Sequence, residues 1–576
     1  PETERLVIDV AVSGDVIIEI SFNGTLNDRL RGFYRSRFED ADGNQRVIAT
    51  TQMQSTDCRA AFPCFDEPDF KAVFSITLIA PSDMLAISNG IEISRRDLGN
   101  GRHEVHFSDT MPMSTYLVAF IVGPLEVTEA KVVNGVPVRV VHVPGKADLA
   151  QFGLEAGAYC LNWFHEYYGI PYPAEKVDLV ALPDFAAGAM ENVGCVTFRE
   201  VLLLLDLNTA TTVDKLNVAE VVAHELAHMW FGDLVTMKWW NGIWLNEAFA
   251  TFMGVAACND FLPELQRWTT FGLDRAFAYE VDSLESSRPI EFEVRSPEDS
   301  EGMFDVLTYE KGGSLLRMLE MYLGPERFRA GVSHYLKRHA YGNTETNDLW
   351  DALEDVVNND GGEAVPVRRL MDSWIWQKGY PLISAGIVGN DLVLHQERFS
   401  YTGSDASLWV VPMHISINGE ITKVIFDKRE MRLALSDPSA TILVNAGGSG
   451  NYRVDYSADL LTRLSGPTLS AMTTLERYVL VDDAWSAVKA GRMSARSFLD
   501  FTTMFRDELD LPVWQAITSG LRMIARIAPE SEALSVAAFI RELTAPMRTR
   551  LGWDPSPGET GLMRQLRGLL VNLPGT

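Results

Sequence analysis

The spacing of apolar side chains divides the chain into segments of different predicted secondary structure. Up to about residue 126, short runs rich in β-branched residues (RLVIDVAV, DVIIEISF, AVFSITLIA) are broken by Gly, Asn and Asp, which predicts β-strands. From Leu149 the pattern changes, because LAQFGLEAGAYCLNWFHEYYG carries apolar residues three and four positions apart and ends at a glycine, as a helix does. The strand KVDLVAL follows, and helical spacing then dominates to about residue 380.

The final third of the chain changes pattern twice more. YPLISAGIVGNDLVLHQERF returns to strand spacing, with further short strands to about Tyr456, and the tail from about residue 457 is helical. A chain of 576 residues is too long for one hydrophobic core, and its length suggests three to five domains. The order β, mixed, β, α therefore predicts a multidomain α+β protein.

Composition narrows the functional classes. Apolar residues make up 47% and charged residues 22% of the chain, and apolar runs such as VLLLLDL at 201–207 are far too short to span a bilayer. We therefore expect a globular chain without a membrane segment. The net charge of −28 argues against nucleic-acid binding, which needs a basic surface, and suits cationic ligands such as peptide amino termini.

The cysteines indicate the cellular compartment of the protein, and the first residue bears on whether the chain is a fragment. The five cysteines, at positions 58, 64, 160, 195 and 258, are few and odd in number, which favours a reducing compartment, and we expect a cytoplasmic protein. Cys58 and Cys64 do not have a zinc-ligand spacing and are interpreted as core or surface thiols. Because the chain opens on Pro1 within a strand-like pattern, we expect a fragment of a longer protein.

The stretch VVAHELAHMWFGDLVTMKWWNGIWLNEAFATF carries the candidate chemistry. In a helix, His224 and His228 lie one turn apart on the same face, where both imidazoles can reach one zinc ion. Glu225 projects about 100° round the helix, beside the metal, where a general base for a metal-activated water belongs. A catalytic zinc needs a third protein ligand, and Glu247 can supply it from a second helix that folds back through the turn containing Gly232 and Gly242.

The alternative interpretation of this stretch is a core helix with two satisfied histidines. A useful contrast is RHEVHF, in which His103 and His106 are three apart in a strand-like segment and point to opposite faces, so that they cannot share an ion. Trp239, Trp240 and Trp244 are interpreted as core anchors. In FPCFDEP, the acidic residues Asp66 and Glu67 before Pro68 are interpreted as part of a turn with a structural salt bridge, in preference to a catalytic role.

Two further stretches are uninformative alone. In FAAGAMENVGCVTFRE, the small residues Gly188 and Ala189 let a backbone approach a ligand closely, and Glu191 offers a carboxylate near the cleft. In LTYEKGGSLLRML, Tyr309 lies where a helix begins. A solvated glutamate after a turn and a half-buried tyrosine are the plain alternatives.

Together these stretches resemble the aminopeptidase N family of zinc metallopeptidases, the gluzincin aminopeptidases. GAMEN, HELAH, WLNE and TYEKG follow in the family's order and approximate spacing, TQMQSTDCRAAFPCFDEPDFKAVF is similar to its amino-terminal signature, and VNAGGSGNYRVDY is similar to its junction with the helical carboxy-terminal domain. The resemblance implies an N-terminal β-saddle domain (1–126, incomplete), a thermolysin-like zinc catalytic domain (127–381), a small β-sandwich (382–456) and part of an α-helical solenoid (457–576, incomplete).

The resemblance also implies roles for individual residues. His224, His228 and Glu247 hold one zinc ion, Glu225 is the general base and Tyr309 stabilises the oxyanion, while the substrate's amine and backbone are bound by a set of upstream residues: Gln52, Gln54, Gly188, Ala189, Met190, Glu191 and Asn192. A carboxylate at Glu191 anchors a free cationic amino terminus, so that only the first peptide bond reaches the metal. Where the family usually has Gln-x-Glu, this chain has Gln52-Met53-Gln54, and the neutral Gln54 predicts weaker anchoring of the amine. We also expect KVDLVAL and the backbone of 188–190 to pair with the extended substrate.

These features predict a monomeric zinc aminopeptidase that acts on peptides with a free amino terminus. The alternatives are a thermolysin-like endopeptidase, which the position of Glu191 disfavours, and an inactive peptidase-fold binding protein, which the intact ligand set disfavours. Epoxide hydrolysis, a side branch of the same superfamily, is disfavoured by the GAMEN form.

Overall fold

The computed structural model describes residues 4–403 and 405–573. The chain divides into two compact units: the first comprises residues 4–262 with Glu293–Phe304 and Arg329–Val356, and the second comprises Pro263–Phe292 and Asp305–Phe328 with residues 357–403 and 405–573. None of the helices in these ranges combines the length and hydropathy that a membrane crossing requires.

The strands of the described ranges are numbered in chain order. They are β1 (Gly32–Glu39), β2 (Gln45–Gln52), β3 (Thr77–Pro81), β4 (Leu85–Ser88), β5 (Glu92–Asp97), β6 (Arg102–Phe107), β7 (Phe120–Gly123), β8 (Glu126–Val127), β9 (Lys131–Val133), β10 (Val136–His142), β11 (Val177–Leu182), β12 (Ala189–Met190), β13 (Cys195–Arg199), β14 (Thr236–Met237), β15 (Asn343–Thr344), β16 (Pro381–Val388), β17 (Asp391–Arg398), β18 (Val411–Ile417), β19 (Glu420–Phe426), β20 (Glu430–Ala434), β21 (Ile442–Val444) and β22 (Arg453–Tyr456).

The α-helices are numbered in the same way. They are α1 (Cys58–Ala61), α2 (Gln151–Tyr168), α3 (Thr212–Ala227), α4 (Trp244–Phe261), α5 (Arg267–Asp282), α6 (Pro297–Glu301), α7 (Gly312–Leu323), α8 (Pro325–Arg338), α9 (Thr346–Asn359), α10 (Val367–Ile375), α11 (Ala458–Arg463), α12 (Pro467–Ala471), α13 (Thr474–Lys489), α14 (Ala495–Thr502), α15 (Leu511–Ile527), α16 (Glu530–Leu551) and α17 (Gly561–Val571). A π-helical turn, Leu307–Lys311, leads into α7.

Three sheets organise most of the first unit. β1-β2-β7-β4 and β3-β6-β5 form two antiparallel sheets, as the strand pattern of the amino-terminal segment predicts. The third sheet has the order β12-β13-β11-β10-β8, with β9 also paired to β10. In it β11 runs parallel to both neighbours and all of its residues are buried, whereas β12 is an antiparallel edge strand.

The first two predicted strands are wrong. Residues 4–26, which include RLVIDVAV and DVIIEISF, form no strand, and their apolar side chains are exposed, Ile17 being 99% accessible. A strand is stable only when its backbone pairs, and neither sheet of the amino-terminal segment pairs with these residues. The alternation therefore indicates strand propensity but identifies no partner.

Helices α3 and α4 carry the predicted metal ligands. α3 begins at a capping box, in which the Thr211 hydroxyl accepts from the Asp214 N–H and the Asp214 carboxylate accepts from the Thr211 N–H. α4 packs back along α3, and Gly254 allows the close approach, since an added Cβ would lie 3.2 Å from the backbone nitrogen of His224. The absence of a side chain at this point sets how near the two helices lie.

The second unit contains the later strands and the helical tail. β20-β17-β16-β22 and β19-β18-β21 form its two sheets, and α11–α17 follow them, as the sequence predicts. Arg453 of β22 is fully buried and donates to the carboxylates of Asp482 and Asp483 on α13 at 2.7 and 3.0 Å. This pairing joins the sheet that contains β22 to α13.

The loop after β12 depends on a glycine in the left-handed region. Gly194 has a φ of +69°, and a Cβ there would lie 2.4 Å from the Asn89 carbonyl oxygen. We expect Gly194→Ala to lower the free energy of unfolding by more than the ~1–3 kcal/mol that left-handed strain alone costs, because the overlap with backbone adds to it. Urea denaturation measures the difference.

Gly145→Ala is the matched control for this prediction. Gly145 also has a positive φ, +86°, but nothing lies within 4 Å of an added Cβ, so this variant carries the strain without the overlap. Equal losses of stability in the two variants would contradict the proposed contact.

Candidate metal centre and active site

Three side chains from α3 and α4 converge on one point. Nε2 of His224 and Nε2 of His228 are 3.0 Å apart, and the Glu247 Oε2 atom lies 3.3 Å from the first and 3.4 Å from the second. His228 is the residue that caps the carboxyl end of α3, and Glu247 lies in the first turn of α4. The residues predicted as ligands are thus brought together within the first unit.

The spacing of these atoms fits a tetrahedral divalent metal. Ligands at about 2.0–2.2 Å from a tetrahedral zinc lie roughly 3.3–3.6 Å from one another, close to the three observed separations. Two imidazole nitrogens that face each other with lone pairs repel, and a cation between them removes that repulsion. The donor set, two nitrogens and one carboxylate oxygen, is one that zinc accepts.

The orientation of His228 is fixed by a main-chain group. Its Nδ1 lies 2.9 Å from the Phe231 carbonyl oxygen, and a proton on Nδ1 leaves the Nε2 lone pair free for a metal. Sequence reasoning missed this contact because a backbone carbonyl leaves no residue signature.

Two more carboxylates lie beside the triad. Ligand atoms of Glu191, Glu225 and His228 all lie within 4.8 Å of one another, and all three side chains are buried. Glu225 Oε2 is buried and has no hydrogen-bond partner among the described residues. A carboxylate with a free buried oxygen at this position fits the role of a base that exchanges a proton with a reacting molecule.

Burial and mutual charge shift the pKa of each member of the cluster. Burial raises the pKa of Glu191 to about 7 and that of Glu225 well above its usual range. For Glu247, burial acts in the same direction, but His228 and the hydrogen bonds with both imidazoles hold its pKa at about 2. For His228, burial favours the neutral form, yet Glu191 and Glu247 raise its pKa. The cluster carries more carboxylates than cations, which a bound dication offsets.

The two upstream glutamines contact the GAMEN segment, residues 188–192. Gln52 Nε2 is 3.4 Å from the Met190 sulfur, and Gln54 Nε2 donates to Glu191 Oε1 at 3.4 Å. Gln54 therefore contacts the predicted amine anchor as a hydrogen-bond donor. A glutamate at this position would instead place a second acceptor there.

The GAMEN segment spans the edge strand and the loop that follows it. Gly188 is exposed, β12 forms the sheet edge, and Glu191 and Asn192 are buried immediately after it. The Asn192 amide donates to the Cys195 carbonyl at 3.3 Å and to the Thr197 hydroxyl at 3.2 Å, which keeps the loop folded against β13.

Two buried residues that the sequence analysis missed anchor this loop. The Asn89 amide donates to the Val193 carbonyl at 2.8 Å and to the Leu117 carbonyl at 2.9 Å. Lys176 donates to the Gly194 carbonyl at 2.6 Å and pairs with Asp178 at 2.9 Å. A buried lysine at the start of a buried strand is the one signal that could have pointed to such a role.

Tyr309 belongs to the second unit. It lies in the π-helical turn Leu307–Lys311, at the amino end of α7, as its position in the sequence predicts. In that turn Lys311 is buried, donates to the Gly379 carbonyl at 3.1 Å and pairs with Asp282 at 2.8 Å. π-Helical turns are rare and often occur at functional sites.

Three minor predictions have clear outcomes. KVDLVAL cannot add a substrate strand, because β11 already pairs on both sides with β10 and β13. Trp240 and Trp244 are buried as expected, but Trp239 is 36% exposed and is wrong as a core anchor; its indole donates to the Val294 carbonyl at the surface. Asp66 pairs with Arg59 at 2.9 Å, which confirms the predicted salt bridge.

Three protein-family models match this chain. The Peptidase family M1 domain matches residues 152–374, the Peptidase M1 N-terminal domain matches 1–117, and the ERAP1-like C-terminal domain matches 441–575. The first of these ranges holds the ligand triad, Glu191, Glu225 and Tyr309, and the second holds Gln52 and Gln54.

Curated relatives extend the similarity over nearly the whole chain. Aminopeptidase M1-D of Oryza sativa subsp. japonica is 39% identical over 99% of this chain and 67% of its own length. Aminopeptidase M1 of Arabidopsis thaliana is 39% identical over 98% and 66%, and the puromycin-sensitive aminopeptidase of Caenorhabditis elegans is 37% identical over 96% and 60%. The chain thus spans about two thirds of the length of such relatives, and it belongs to the M1 family of peptidases.

Proposed function

We propose that this chain removes amino-terminal residues from peptides at a zinc centre held by His224, His228 and Glu247. The convergence of these three ligand atoms beside the buried pair Glu191 and Glu225 carries the proposal. The three relatives described above, each named an aminopeptidase, support it.

Glu225 is the proposed general base. When bound, zinc polarises the scissile carbonyl and lowers the pKa of the attacking water. Glu225 takes the proton of that water on its unpaired oxygen and returns it to the leaving amine. Burial favours the proton on this carboxylate between the two transfers, since it raises the pKa of Glu225.

Glu191 and Gln54 form the proposed amine site. A protonated amino terminus that binds at Glu191 gains a charge-assisted hydrogen bond, which an internal peptide nitrogen cannot make. This feature favours an aminopeptidase over an endopeptidase. The free edge of β12 offers backbone groups to which an extended substrate pairs, while Gly188 keeps the approach open.

Tyr309 is the proposed oxyanion donor. A preorganised hydroxyl of this kind contributes about 3–4 kcal/mol to transition-state stabilisation. The buried pair of Lys311 and Asp282 holds the turn that carries it, and that rigidity is what a preorganised donor needs.

The finer architecture is part of the same proposal. We assign a β-saddle domain to 1–126, a thermolysin-like domain to 127–381, a β-sandwich to 382–456 and a helical solenoid segment to 457–576. We also propose a cytoplasmic monomer, and the five free thiols suit a reducing compartment.

Metal content tests the ligand set. We expect the chain, purified without chelator, to carry zinc, and His228→Ala to reduce the zinc content to background, because two remaining ligands do not hold the ion. Elemental mass spectrometry measures this. His106→Ala is the control, since His106 belongs to the other His-x-x-His pattern, on β6, and should leave the metal content unchanged. Wild-type zinc in His228→Ala would contradict the proposed site.

Glu191→Gln tests the amine anchor. Loss of a hydrogen bond to a charged group costs about 1.5–3 kcal/mol, so kcat/KM on aminoacyl fluorogenic amides should fall about 10- to 150-fold. Glu200→Gln, which removes a carboxylate paired with Lys146 in the same unit, should leave kcat/KM near the wild-type value.

An amino-acetylated peptide extends the same test. The wild-type chain should not cleave it, because the acetyl group removes the positive charge. Cleavage of that peptide, or full activity in Glu191→Gln, would favour the endopeptidase and remove Glu191 from the mechanism.

Gln54→Glu tests the departure from the family pattern. A second carboxylate beside Glu191 should strengthen amine binding by about 1–2 kcal/mol and raise kcat/KM about 5- to 30-fold, mainly through KM. Gln54→Ala removes the contact without adding charge and serves as the comparison. If kcat/KM of a folded Gln54→Glu variant does not rise, this explanation of Gln54 is wrong.

A further inference from the structure

Two thiols outside the active site lie side by side in the first unit. Cys58 opens α1, Cys64 follows it by six residues, and their sulfur atoms lie within 4.8 Å of each other. Cys58 is completely buried, whereas Cys64 is partly exposed, between the exposed residues Pro63 and Phe65. One cysteine is therefore accessible to a small reagent from solvent, and the sulfur of the buried one lies within 4.8 Å of its sulfur.

The backbone of this loop is already closed by other contacts. The Arg59 N–H and Nε both donate to Asp66 Oδ2, at 3.0 and 2.9 Å, and its Nη2 donates to the Asp66 carbonyl at 3.1 Å. The Thr115 hydroxyl donates to the other carboxylate oxygen at 2.7 Å. Hydrogen bonds between Arg59 and Asp66 therefore close the loop 58–66 before any covalent link forms. Little conformational entropy remains to be lost when the two sulfurs are joined.

A metal is a poorer occupant of this cluster than a covalent bond. Asp66 completes a possible ligand group with the two cysteines, but both of its oxygens are engaged, and one of them faces the Arg59 guanidinium. That leaves two sulfur ligands, fewer than a structural zinc site uses, beside a positive charge.

We propose that Cys58 and Cys64 are a peroxide-reactive dithiol that forms an intramolecular disulfide. The Cys64 thiolate attacks one oxygen of hydrogen peroxide, the O–O bond breaks, and the products are a Cys64 sulfenic acid and, after protonation, water. The Cys58 thiol then attacks the Cys64 sulfur, the S–S bond forms, and the hydroxyl group leaves as a second water with the Cys58 proton. The two thiols lose two electrons, and one peroxide is reduced to two waters.

The proposed disulfide lies next in sequence to the segment that carries Gln52 and Gln54. The Asp57 N–H donates to the Met53 carbonyl at 2.9 Å, so the loop begins where the segment carrying Gln52 and Gln54 ends. The two sulfurs lie within 4.8 Å of each other, and a disulfide requires a separation of about 2.05 Å, so the two side chains must move together for the bond to form.

The other cysteines provide internal controls. Cys160, Cys195 and Cys258 are buried, and burial raises the pKa of Cys195 to about 12, so peroxide should leave these thiols reduced. A selective reaction at the pair is therefore distinguishable from general oxidation.

Peptide mapping of the whole chain tests the proposal. The folded protein is treated with hydrogen peroxide, its thiols are then blocked with N-ethylmaleimide under denaturing conditions, and it is digested with trypsin. Trypsin cleaves after Arg59, between the two cysteines, so the disulfide would hold the peptides 47–59 and 60–71 together as one species that a reductant separates. We expect this species after peroxide and not before, with the other three cysteines alkylated.

Variants make the assignment specific. Cys58→Ser and Cys64→Ser should each abolish the linked species, and Cys160→Ser should leave it unchanged. Both cysteines fully alkylated after peroxide, Cys64 trapped as a sulfinic or sulfonic acid with Cys58 alkylated, or Cys64 linked between two chains would each overturn the proposal.

Discussion

Two imidazole nitrogens and a carboxylate oxygen separated by 3.0–3.4 Å inside a buried cluster are the constraint on which the rest of the site depends. Glu191 and Glu225 add two more carboxylates to the same buried region. Such a cluster is costly to bury unless a cation offsets its negative charge. Glu247 pairs with both imidazoles, but the remaining carboxylates repel one another, so the surrounding fold must hold them in place.

The first unit meets this demand with main-chain geometry. Helix packing at Gly254 brings α4 against α3, the Phe231 carbonyl fixes one imidazole, and Asn89 and Lys176 hold the loop behind Glu191. Most of these contacts end on carbonyl oxygens, which no substitution removes. The chemistry of the site rests on few side chains, and its shape rests largely on the backbone.

Much of the secondary structure could be predicted from the sequence, but which elements contact one another could not. Local spacing predicted α2, β11, the β16–β17 hairpin and the helical tail, because these patterns depend on neighbours in the chain. It failed for residues 4–26, since alternation reports a tendency to extend and says nothing about whether another strand lies alongside. It also failed for Trp239, which was expected to be buried because it lies in a tryptophan-rich stretch, whereas only Trp240 and Trp244 of that stretch are buried.

In the candidate site, too, contacts between residues near in sequence could be predicted and contacts between distant residues could not. The histidines and glutamates of α3 and α4 lie within one helical hairpin, so their spacing in sequence predicts their meeting in space. Asn89 lies more than a hundred residues before the carbonyl that it binds, and nothing in its neighbourhood marks it. The proximity of Cys58 and Cys64 likewise depends on Arg59 turning back onto Asp66, a contact that cysteine spacing does not reveal.

The short edge strand β12 has a consequence for which peptides the proposed enzyme would process. A substrate peptide that pairs with β12 is bound through its backbone N–H and C=O groups. Every residue except proline supplies both groups. Proline brings no amide hydrogen to such a ladder and fixes its own φ angle. Peptides with an imino acid close behind their first residue would then dissociate before hydrolysis, and trimming would stall at those points in a sequence.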